Sequence, residues 1–382
     1  MAPAPVLFCS HVAEWGGAEA VLIDLLGELD RSRFAPHLAG PSTGPLPDRA
    51  RALGVPVHDW PFGANRLAKW LAIPKAARRL RQLAGQVGAR VLYANSAIAG
   101  YAAVRAQGPS LPCLWHLHLV AEAWLLRRGV ARAAGLVAPA RACLTRLPAA
   151  VQARAHVVPN GVPERCFRAT GSGLRGELGM RTDPGAELLV GILGRLDPQK
   201  GHEVLLRALA TLRAPWRLVV VGGEAFAAGM PRVRGYAEQL RRLAAELGID
   251  ARVSLLGHRT DVPELMAQLD VVVVPSVGTE AAPRAIAEAQ AAGRAVVASR
   301  IGGVPELIAH GSTGWLVEPN QPAALATALQ QLAEQPEQRQ RLGAAARAFA
   351  ERHYRMAAFA AGVEAALAAT LASQARGADG TR

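Results

Sequence analysis

The sequence predicts an α/β protein built from two doubly wound α/β/α domains that face a cleft. Short apolar segments alternate with longer amphipathic segments along the chain, as strands and helices do in a parallel sheet. The alternation is interrupted once, by a polar, glycine-rich stretch, and 382 residues suffice for two cores of ordinary domain size. We therefore expect one domain on each side of the interruption.

The first domain is predicted over residues 1–168. It opens with the strand VLFCSHV and the helix GGAEAVLIDLLGEL, whose leucines and valine recur at helical spacing. Strand, helix and strand follow in FAPHLAG, LPDRARALG and VPVHDW, and then a basic helix, RLAKWLAIPKAARRLRQLAGQ, that we expect to break at Pro74. The remaining predicted strands are ARVLYANS, CLWHLHL, GLVAPA and AHVVP, with helical material between them.

The interruption at residues 169–186, ATGSGLRGELGMRTDPGA, is predicted to be the linker. A second domain follows over 187–354, with predicted strands at ELLVGILGRL, WRLVVVGG, RVSLLGH, DVVVVPS, AVVAS and GWLVEP and amphipathic helices between them. Residues 355–382 are predicted to form a C-terminal helix and tail. In sheets of this kind ligands bind outside the carboxyl ends of the strands.

Composition narrows the class of protein. The four cysteines form no C-x-x-C pair or tight cluster, so we expect reduced thiols and neither a metal site nor a disulfide framework. No signal peptide and no run of about 20 apolar residues is visible, which predicts a cytoplasmic protein.

Charge is unevenly distributed. Of the net +13, the larger part lies in residues 1–168, which carry 20 Lys and Arg against 9 Asp and Glu. This half is expected to meet an anionic partner, either a membrane surface or a phosphorylated substrate. Nucleic acid is not expected, because no stacking aromatics are interleaved with the basic residues and no nucleic-acid-binding motif occurs.

The motif GRLDPQKG, residues 194–201, follows a predicted strand and precedes a helix. Arg195 and Lys200 would then lie at the carboxyl end of the strand, where a guanidinium fork and an ammonium point charge suit a diphosphate. Two solvated loop charges are the alternative interpretation.

The segment TEAAPRAIAEA, residues 279–289, places Glu280 before a helix and Glu288 inside it. Pro283 fits the first helical position, and the free N–H groups of Arg284 and Ala285 would form an anion site. A diphosphate there would have one carboxylate on either side, each able to bind sugar hydroxyls. Taken alone, the two glutamates also fit unrelated surface carboxylates.

Three segments occur in order: GRLDPQKG, PSVGTEAAPRAIAEAQAAGRAVVAS and GGVPELIAHGSTGWLVEP. They resemble the signature segments of the retaining, nucleotide-sugar-dependent glycosyltransferases with the GT-B fold and an E-x7-E motif, the family 4-like or group 1 glycosyltransferases. GGAEAVLIDLL, WHLH, VVPNGV and LLGHRTDVPELMAQLDVVVVPS also fit, so the resemblance runs from about Val6 to Pro319. It implies two Rossmann-like domains and a C-terminal helix that crosses back to the first.

The resemblance also implies roles in the second domain. Arg195 and Lys200 would bind the donor diphosphate and stabilise the leaving group, with Gly194 in the same loop. Glu280 would contact the C3 and C4 hydroxyls of the transferred sugar, and Glu288 the ribose. The N–H groups of Arg284 and Ala285 would touch the phosphates. The segment LLGHR, which contains Gly257, His258 and Arg259, would line the base pocket, largely through its backbone.

In the first domain the resemblance implies that Gly16 and Gly17 form a loop that lets donor and acceptor approach closely. His118 matches a histidine beside the reacting sugar, and His116 is expected to point the opposite way because side chains alternate along a strand. The alternative interpretation of His118 is a satisfied core histidine.

The sequence departs from the family pattern at three places. Pro283 stands where a glycine often supplies a phosphate-facing N–H, Ala281 and Ala282 replace bulkier residues, and Ala140 replaces a frequent serine. No Asp-x-Asp occurs, so we expect transfer without a metal, with Arg195, Lys200 and the helix start providing the positive charge.

The function that the resemblance implies is retaining, metal-independent transfer of a sugar from a nucleoside diphosphate, with UDP first and GDP next as the family's usual nucleotides. The acceptor would be a glycan, a lipid-linked intermediate or a small molecule. A sugar-nucleotide epimerase on the same fold and a non-catalytic sugar-nucleotide-binding protein are the alternatives. Residues 66–83 are basic and amphipathic, and fit either peripheral contact with an anionic membrane, on its inner face, or packing on the sheet.

Overall fold

The structure is a computed structural model that describes residues 2–60, 62, 66–121, 124–180, 187–224 and 234–379. For residues 66–70, 124–125 and 374–379 it describes the backbone alone.

Thirteen strands are present in these ranges. They are β1 (Ala4–Cys9), β2 (Phe34–Gly40), β3 (Val57–Asp59), β4 (Val91–Ala94), β5 (Cys113–His116), β6 (Gly135–Ala138), β7 (Ala155–Val157), β8 (Leu188–Leu193), β9 (Trp216–Val221), β10 (Val253–Gly257), β11 (Val271–Val274), β12 (Ala295–Ser299) and β13 (Trp315–Val317).

Sixteen α-helices are described between and after them. They are α1 (Gly17–Glu28), α2 (Pro45–Ala52), α3 (Arg66–Val87), α4 (Ala97–Ala106), α5 (Trp124–Ala131), α6 (Ala149–Gln152), α7 (Glu164–Arg168), α8 (Leu174–Glu177), α9 (His202–Leu209), α10 (Tyr236–Glu246), α11 (Val262–Met266), α12 (Arg284–Ala291), α13 (Val304–Leu307), α14 (Pro322–Glu334), α15 (Pro336–His353) and α16 (Met356–Asp379).

The chain divides into two compact units, residues 1–161 with 356–382, and residues 162–355. The first unit contains a parallel seven-stranded sheet in the order β3-β2-β1-β4-β5-β6-β7. Its central strands read as continuous apolar runs because helices cover both faces of a parallel sheet. Phe8, Tyr93 and Leu114 are fully buried there. The predicted doubly wound fold is confirmed for this unit.

The second unit contains a parallel six-stranded sheet in the order β10-β9-β8-β11-β12-β13. The four valines of β11 alternate between two cores, one on each face of the sheet. Val271 and Val273 belong to one core, with Trp216, and Val272 and Val274 belong to the other. This two-sided burial is why the strand has no polar alternation.

The C-terminal helix α16 belongs to the first unit, as expected. Phe359, Val363 and Leu367 are buried in its core, and Glu364 forms an ion pair of 2.7 Å with Arg33. By length and composition, residues Met356–Ser373 form the one helix in the described ranges that could cross a membrane. Its burial against the sheet accounts for the same apolar composition.

The boundaries between the units differ from those that composition suggests. The second unit begins at Val162, and its core includes Phe167, Leu174 and Met180. Residues 169–180 of the predicted linker therefore pack on the second unit, because a few apolar side chains in a polar stretch are enough to anchor it. Residues 181–186 lie outside the described ranges.

The predicted break of the basic helix is wrong. Helix α3 is continuous over Arg66–Val87 with Pro74 inside it. Pro74 is exposed, so the carbonyl that loses its helical partner can bond to water instead.

Candidate active site

In the second unit the strand order reverses between β8 and β11, and ligands of open α/β sheets bind at such a switch point. Residues 194–201 follow β8, and residues 275–283 follow β11. The two motifs that the sequence singles out therefore leave the sheet at neighbouring strand ends.

The loop after β8 is built around a buried carboxylate. Asp197 is fully buried and accepts hydrogen bonds from Arg195 Nη2 at 3.1 Å and from the N–H of Gln199 at 3.0 Å. At Gly201 the φ angle is +75°, and an added Cβ would lie 1.9 Å from the carbonyl oxygen of Pro275. Only glycine allows this close approach, which brings the loop against the end of β11.

Gly194 lies where the chain leaves β8, and the end of β9 packs behind it. A Cβ added at Gly222 would lie 1.7 Å from the carbonyl oxygen of Gly194, whereas a Cβ added at Gly194 would meet no atom within 4 Å. The space beside Gly194 is therefore open to a ligand.

Lys200 and Glu280 are in direct contact. Lys200 Nζ lies 2.6 Å from Glu280 Oε1, and the hydroxyl of buried Ser276 donates a hydrogen bond of 2.7 Å to the same oxygen. The carboxylate is only 12% exposed and the ammonium 31%. Two predicted site residues that are 80 positions apart in sequence thus form one charged centre, which a third side chain orients.

The backbone of Glu280 is also held in place. Its carbonyl oxygen accepts a hydrogen bond of 3.0 Å from the N–H of Gly303. Gly302 has a φ of +49°, and a Cβ there would lie 1.9 Å from the same carbonyl oxygen. The GGV segment therefore packs directly beneath the residue predicted to bind the sugar.

Helix α12 begins one residue later than predicted. Pro283 is its N-cap, with extended backbone angles of −60° and 119°, and no side chain caps the helix in the described structure. Because the N-cap N–H takes no part in helical bonding, proline costs the helix no hydrogen bond here. The first-turn amides, beginning with Arg284 and Ala285, carry the positive end of the helix dipole.

Glu288 is paired within the same helix. Arg284 Nη2 lies 3.0 Å and Nε 3.1 Å from Glu288 Oε1, and both side chains are 16% exposed. This i,i+4 pair places a guanidinium and a carboxylate beside the start of α12. Contact between Glu288 and a ribose stays a prediction.

The predicted base-binding segment ends β10. The carbonyl of Gly257 accepts a hydrogen bond of 2.8 Å from the N–H of Gly222, and His258 is exposed. Arg259 donates two hydrogen bonds to Asp261, of 2.8 and 2.6 Å. These bonds hold the pKa of the Asp261 carboxyl below its ordinary value. Contact between this segment and a nucleotide base stays a prediction.

In the first unit the strand order reverses between β1 and β4. Gly16 is the N-cap of α1, which begins at Gly17, where an added Cβ would meet no atom within 4 Å. His118 Nε2 lies 2.9 Å from Asn95 Oδ1, and Asn95 Nδ2 donates a hydrogen bond of 3.0 Å to the carbonyl of Ala18. Buried Asn95 therefore joins the glycine segment to His118.

The expectation that His116 points away from His118 is wrong. Alternation along a strand separates neighbours, whereas residues two apart share a face. The two imidazole centroids lie 4.1 Å apart, and the hydroxyl of Tyr93 lies 2.6 Å from His116 Nδ1. Burial lowers the pKa of His116 well below its ordinary value and that of His118 to about 4. Both rings are therefore neutral near pH 7.

Three further residues have positions that sequence reasoning did not single out, namely Asn95, Ser276 and Gly302. Asn95 comes directly after β4 and Ser276 lies two residues after the end of β11, and both strands border a switch point, so their positions in LYANS and VVVVPS are available signals. Gly302 lies in the signature segment GGVPELIAHGSTGWLVEP, but its need for glycine arises from a contact with Glu280 that the segment itself does not show. In the parts of the chain that the structure describes, no three His, Cys, Asp or Glu side chains cluster as metal ligands would.

Two family models match the chain, one for each unit. "Glycosyl transferases group 1" matches residues 182–349, and "Glycosyltransferase Family 4" matches residues 15–165. The chain belongs to the group 1 glycosyltransferases. The resemblance carried by GRLDPQKG and the segments that follow it is thereby confirmed at the level of the family.

Curated relatives of this glycosyltransferase match it only in part. The D-inositol 3-phosphate glycosyltransferase of Corynebacterium efficiens is 39% identical over 163 residues, 41% of this chain and 37% of that protein. The enzyme of the same name from Mycobacterium tuberculosis strain H37Ra is 38% identical over 183 residues, 47% of this chain and 36% of that protein. The matched stretch thus spans little more than a third of these relatives.

Solved structures match this glycosyltransferase over nearly its whole length. HepE of Anabaena, crystallised with UDP, has a TM-score of 0.81 and 25% identity, with 96% of this chain and 100% of that chain covered. Sucrose-phosphate synthase of Thermosynechococcus elongatus has a TM-score of 0.81 at 20% identity, with 97% and 100% covered. The predicted GT-B fold of two Rossmann-like units is confirmed.

Proposed function

We propose that this group 1 glycosyltransferase moves a sugar from a nucleoside diphosphate to an acceptor hydroxyl with retention at the anomeric carbon. The observation that carries the proposal is the centre formed by Lys200 and Glu280, at the switch point of the sheet and in the segment leading to α12. A cation and a carboxylate in contact there suit a substrate that presents phosphate and sugar hydroxyls side by side.

The donor roles follow from the positive groups at this edge. Arg195, Lys200 and the amides at the start of α12 hold the diphosphate and stabilise the charge that develops as it leaves. Glu280 accepts hydrogen bonds from the hydroxyls of the transferred sugar, and Glu288 from the ribose. Because these cations already supply positive charge, no divalent metal is required in this proposal.

The reaction exchanges one bond at the anomeric carbon for another on the same face. The bond to the phosphate oxygen breaks through an oxocarbenium-like ion pair, and the acceptor oxygen bonds to the same carbon. The departing phosphate takes the proton of the acceptor hydroxyl, so no protein carboxylate need attack the sugar. In the first unit, His118 binds a hydroxyl of the reacting sugar or of the acceptor.

UDP is the first choice of nucleotide and GDP the second, which the UDP complex of HepE supports. A glycan, a lipid-linked intermediate or a small molecule is the acceptor, and the names of the partly matching relatives support the small-molecule class. Family membership supports a transferase over a sugar-nucleotide epimerase or a non-catalytic binding protein.

A thermal-shift screen tests the donor site. At about 100 times its Kd, a nucleotide adds about 2.7 kcal/mol of stability, so the matching nucleotide should raise Tm by about 3 °C or more. UDP, GDP, ADP and dTDP are compared, and we expect UDP to give the largest rise. Lys200→Ala is the matched variant and should show a smaller rise. No rise with any of the four at millimolar concentration would contradict the proposal.

The proposal extends to peripheral contact with an anionic membrane, which places the protein in the cytoplasm at the inner face of the membrane. Helix α3 packs on α4, and α4 on α5. Exposed cations lie along these helices and just after them, and Leu71 on α3 is 73% exposed. The cations are Lys75, Arg78, Arg105, Arg128 and Arg132. The side chains of residues 66–70, which belong to the same prediction, lie outside the described ones.

The sequence also supports an anionic partner for the exposed surface of α3, α4 and α5. Between Asp59 and Glu164 the chain contains one acidic residue, Glu122, against 14 Lys and Arg. A lipid headgroup layer attracts each surface cation by about 1 kcal/mol at low salt, and an exposed leucine can enter it.

Co-sedimentation with vesicles of anionic and zwitterionic lipid tests this contact. Binding to anionic vesicles is expected at low salt and should be lost at high salt. Lys75→Glu combined with Arg78→Glu should weaken it about tenfold or more. The matched control is Arg241→Glu with Arg242→Glu, two exposed arginines on α10 of the second unit, which changes net charge equally. Absence of binding to anionic vesicles at low salt would contradict the proposed membrane contact.

A further inference from the structure

Asn95 is a residue of the first unit whose side-chain amide matches the two partners around it. It follows β4 at the switch point, is fully buried, and bridges two partners with the two ends of one amide. On one side is the carbonyl of Ala18 in the first turn of α1, and on the other is the imidazole of His118. These partners come from sequence positions 77 before it and 23 after it.

The orientation of the amide follows from the first partner. A backbone carbonyl can only accept, so the group 3.0 Å from Ala18 O must be the Asn95 NH₂. The carbonyl oxygen of the amide then faces His118, at 2.9 Å from Nε2. An amide oxygen can only accept, so Nε2 of His118 must carry the hydrogen.

The protonation of the second ring nitrogen then follows. Burial keeps the His118 ring neutral near pH 7, and a neutral imidazole carries one N–H. With that hydrogen on Nε2, Nδ1 has a lone pair and can accept a hydrogen bond from a hydroxyl. The ring of His116, itself held by Tyr93, packs against His118 at an interplanar angle of 40° and limits its rotation.

We propose that Asn95 is a positioning residue that fixes His118 as the Nε2–H tautomer, so that Nδ1 accepts a hydrogen bond from a substrate hydroxyl. The use of Nδ1 rests on the proposed function, whereas the tautomer does not. Asparagine suits the position because it donates with one end and accepts with the other. Aspartate would set a carboxylate oxygen against the Ala18 carbonyl, and alanine would leave both partners unsatisfied.

Long-range ¹H–¹⁵N correlation spectra of histidine-labelled full-length protein read the tautomer directly, without substrate. His118→Phe assigns the signal. The ligand-free protein should show His118 as Nε2–H, and Asn95→Ala should move it toward a mixture of tautomers. The control is Asn160→Ala, another buried asparagine of the first unit, which should leave the His118 signal unchanged.

Asn95→Asp has the size of the natural side chain and covers the case in which Asn95→Ala fails to fold. Its carboxylate should raise the pKa of His118 enough for both ring nitrogens to carry hydrogen near neutral pH. An Nδ1–H tautomer in the natural protein, or an unchanged His118 signal in the Asn95 variants, would overturn the proposal.

An activity readout separates this proposal from the function it rests on. With the nucleotide identified by thermal shift, Asn95→Ala should lower kcat about tenfold or more while stabilisation by the free nucleoside diphosphate stays unchanged, because the residues proposed to hold the diphosphate and the ribose belong to the second unit. An Nε2–H tautomer without any sugar transfer would refute the proposed function and leave the tautomer assignment standing. Unchanged kcat in an active Asn95→Ala variant would overturn the role assigned to Nδ1.

Discussion

Replacing Glu280 with alanine is expected to lower the rate of sugar transfer by about two to three orders of magnitude while nucleotide affinity stays within about threefold. Glu280 is proposed to contact the sugar and not the nucleotide, so its loss removes a group that acts where charge develops. The substitution also releases Lys200, whose ammonium lies 2.6 Å from the carboxylate, and a released cation remains available to the diphosphate.

The measurement pairs release of nucleoside diphosphate from the donor with the thermal shift that the free nucleotide produces. Glu280→Gln keeps an acceptor without the charge and should fall between the natural protein and Glu280→Ala. Glu318→Ala removes a carboxylate that is 67% exposed in the same unit and should change neither quantity. Equal loss of transfer and of nucleotide binding in Glu280→Ala would show that Glu280 serves the nucleotide, contrary to the role proposed.

Replacing Gly302 with alanine is expected to lower the free energy of unfolding by about 2–5 kcal/mol. Two effects add. The φ angle of +49° lies in the left-handed region, and the new Cβ would lie 1.9 Å from the carbonyl oxygen of Glu280, a backbone atom that cannot swing aside. Relief of the clash must shift the backbone of Glu280, so donor-induced stabilisation should fall as well.

Gly248→Ala is the matched control for this experiment. Gly248 lies in the same unit at a φ of +67°, and an added Cβ there would meet no atom within 4 Å. Its free energy of unfolding should fall by only about 1–2 kcal/mol, the cost of placing a residue with a Cβ in the left-handed region. Donor binding should not change. Chemical denaturation measures both variants. Equal destabilisation by the two substitutions would mean that the contact with Glu280 does not restrain the loop.

The sequence predicts the strands well because burial on both faces leaves an unmistakable apolar run, as in Val271–Val274. It predicts local geometry less well. Pro74 suggests a break, yet the exposed face of α3 tolerates it, and Pro283 caps α12 where the pattern places it inside the helix. His116 differs from the expectation because residues two apart in an extended chain lie on the same side, which brings its ring against that of His118.

For the candidate site, too, the sequence predicts some features and not others. Lys200 and Glu280 stand out because they lie in motifs, but their mutual contact is a property of two neighbouring strand ends and cannot be read from either motif. Asn95 belongs to none of the motifs identified from the sequence. Its role arises from partners 77 and 23 positions away, and only the folded chain brings these together.

The ion pair between Lys200 and Glu280 has a consequence for how binding responds to salt. Without ligand, the ammonium already has a counter-ion supplied by the chain itself. A nucleotide that takes this cation replaces one anion with another, so it displaces a tethered carboxylate instead of dissolved ions. Nucleotide affinity should accordingly depend on ionic strength less steeply than the number of nearby cations suggests, because the site is partly neutralised in advance.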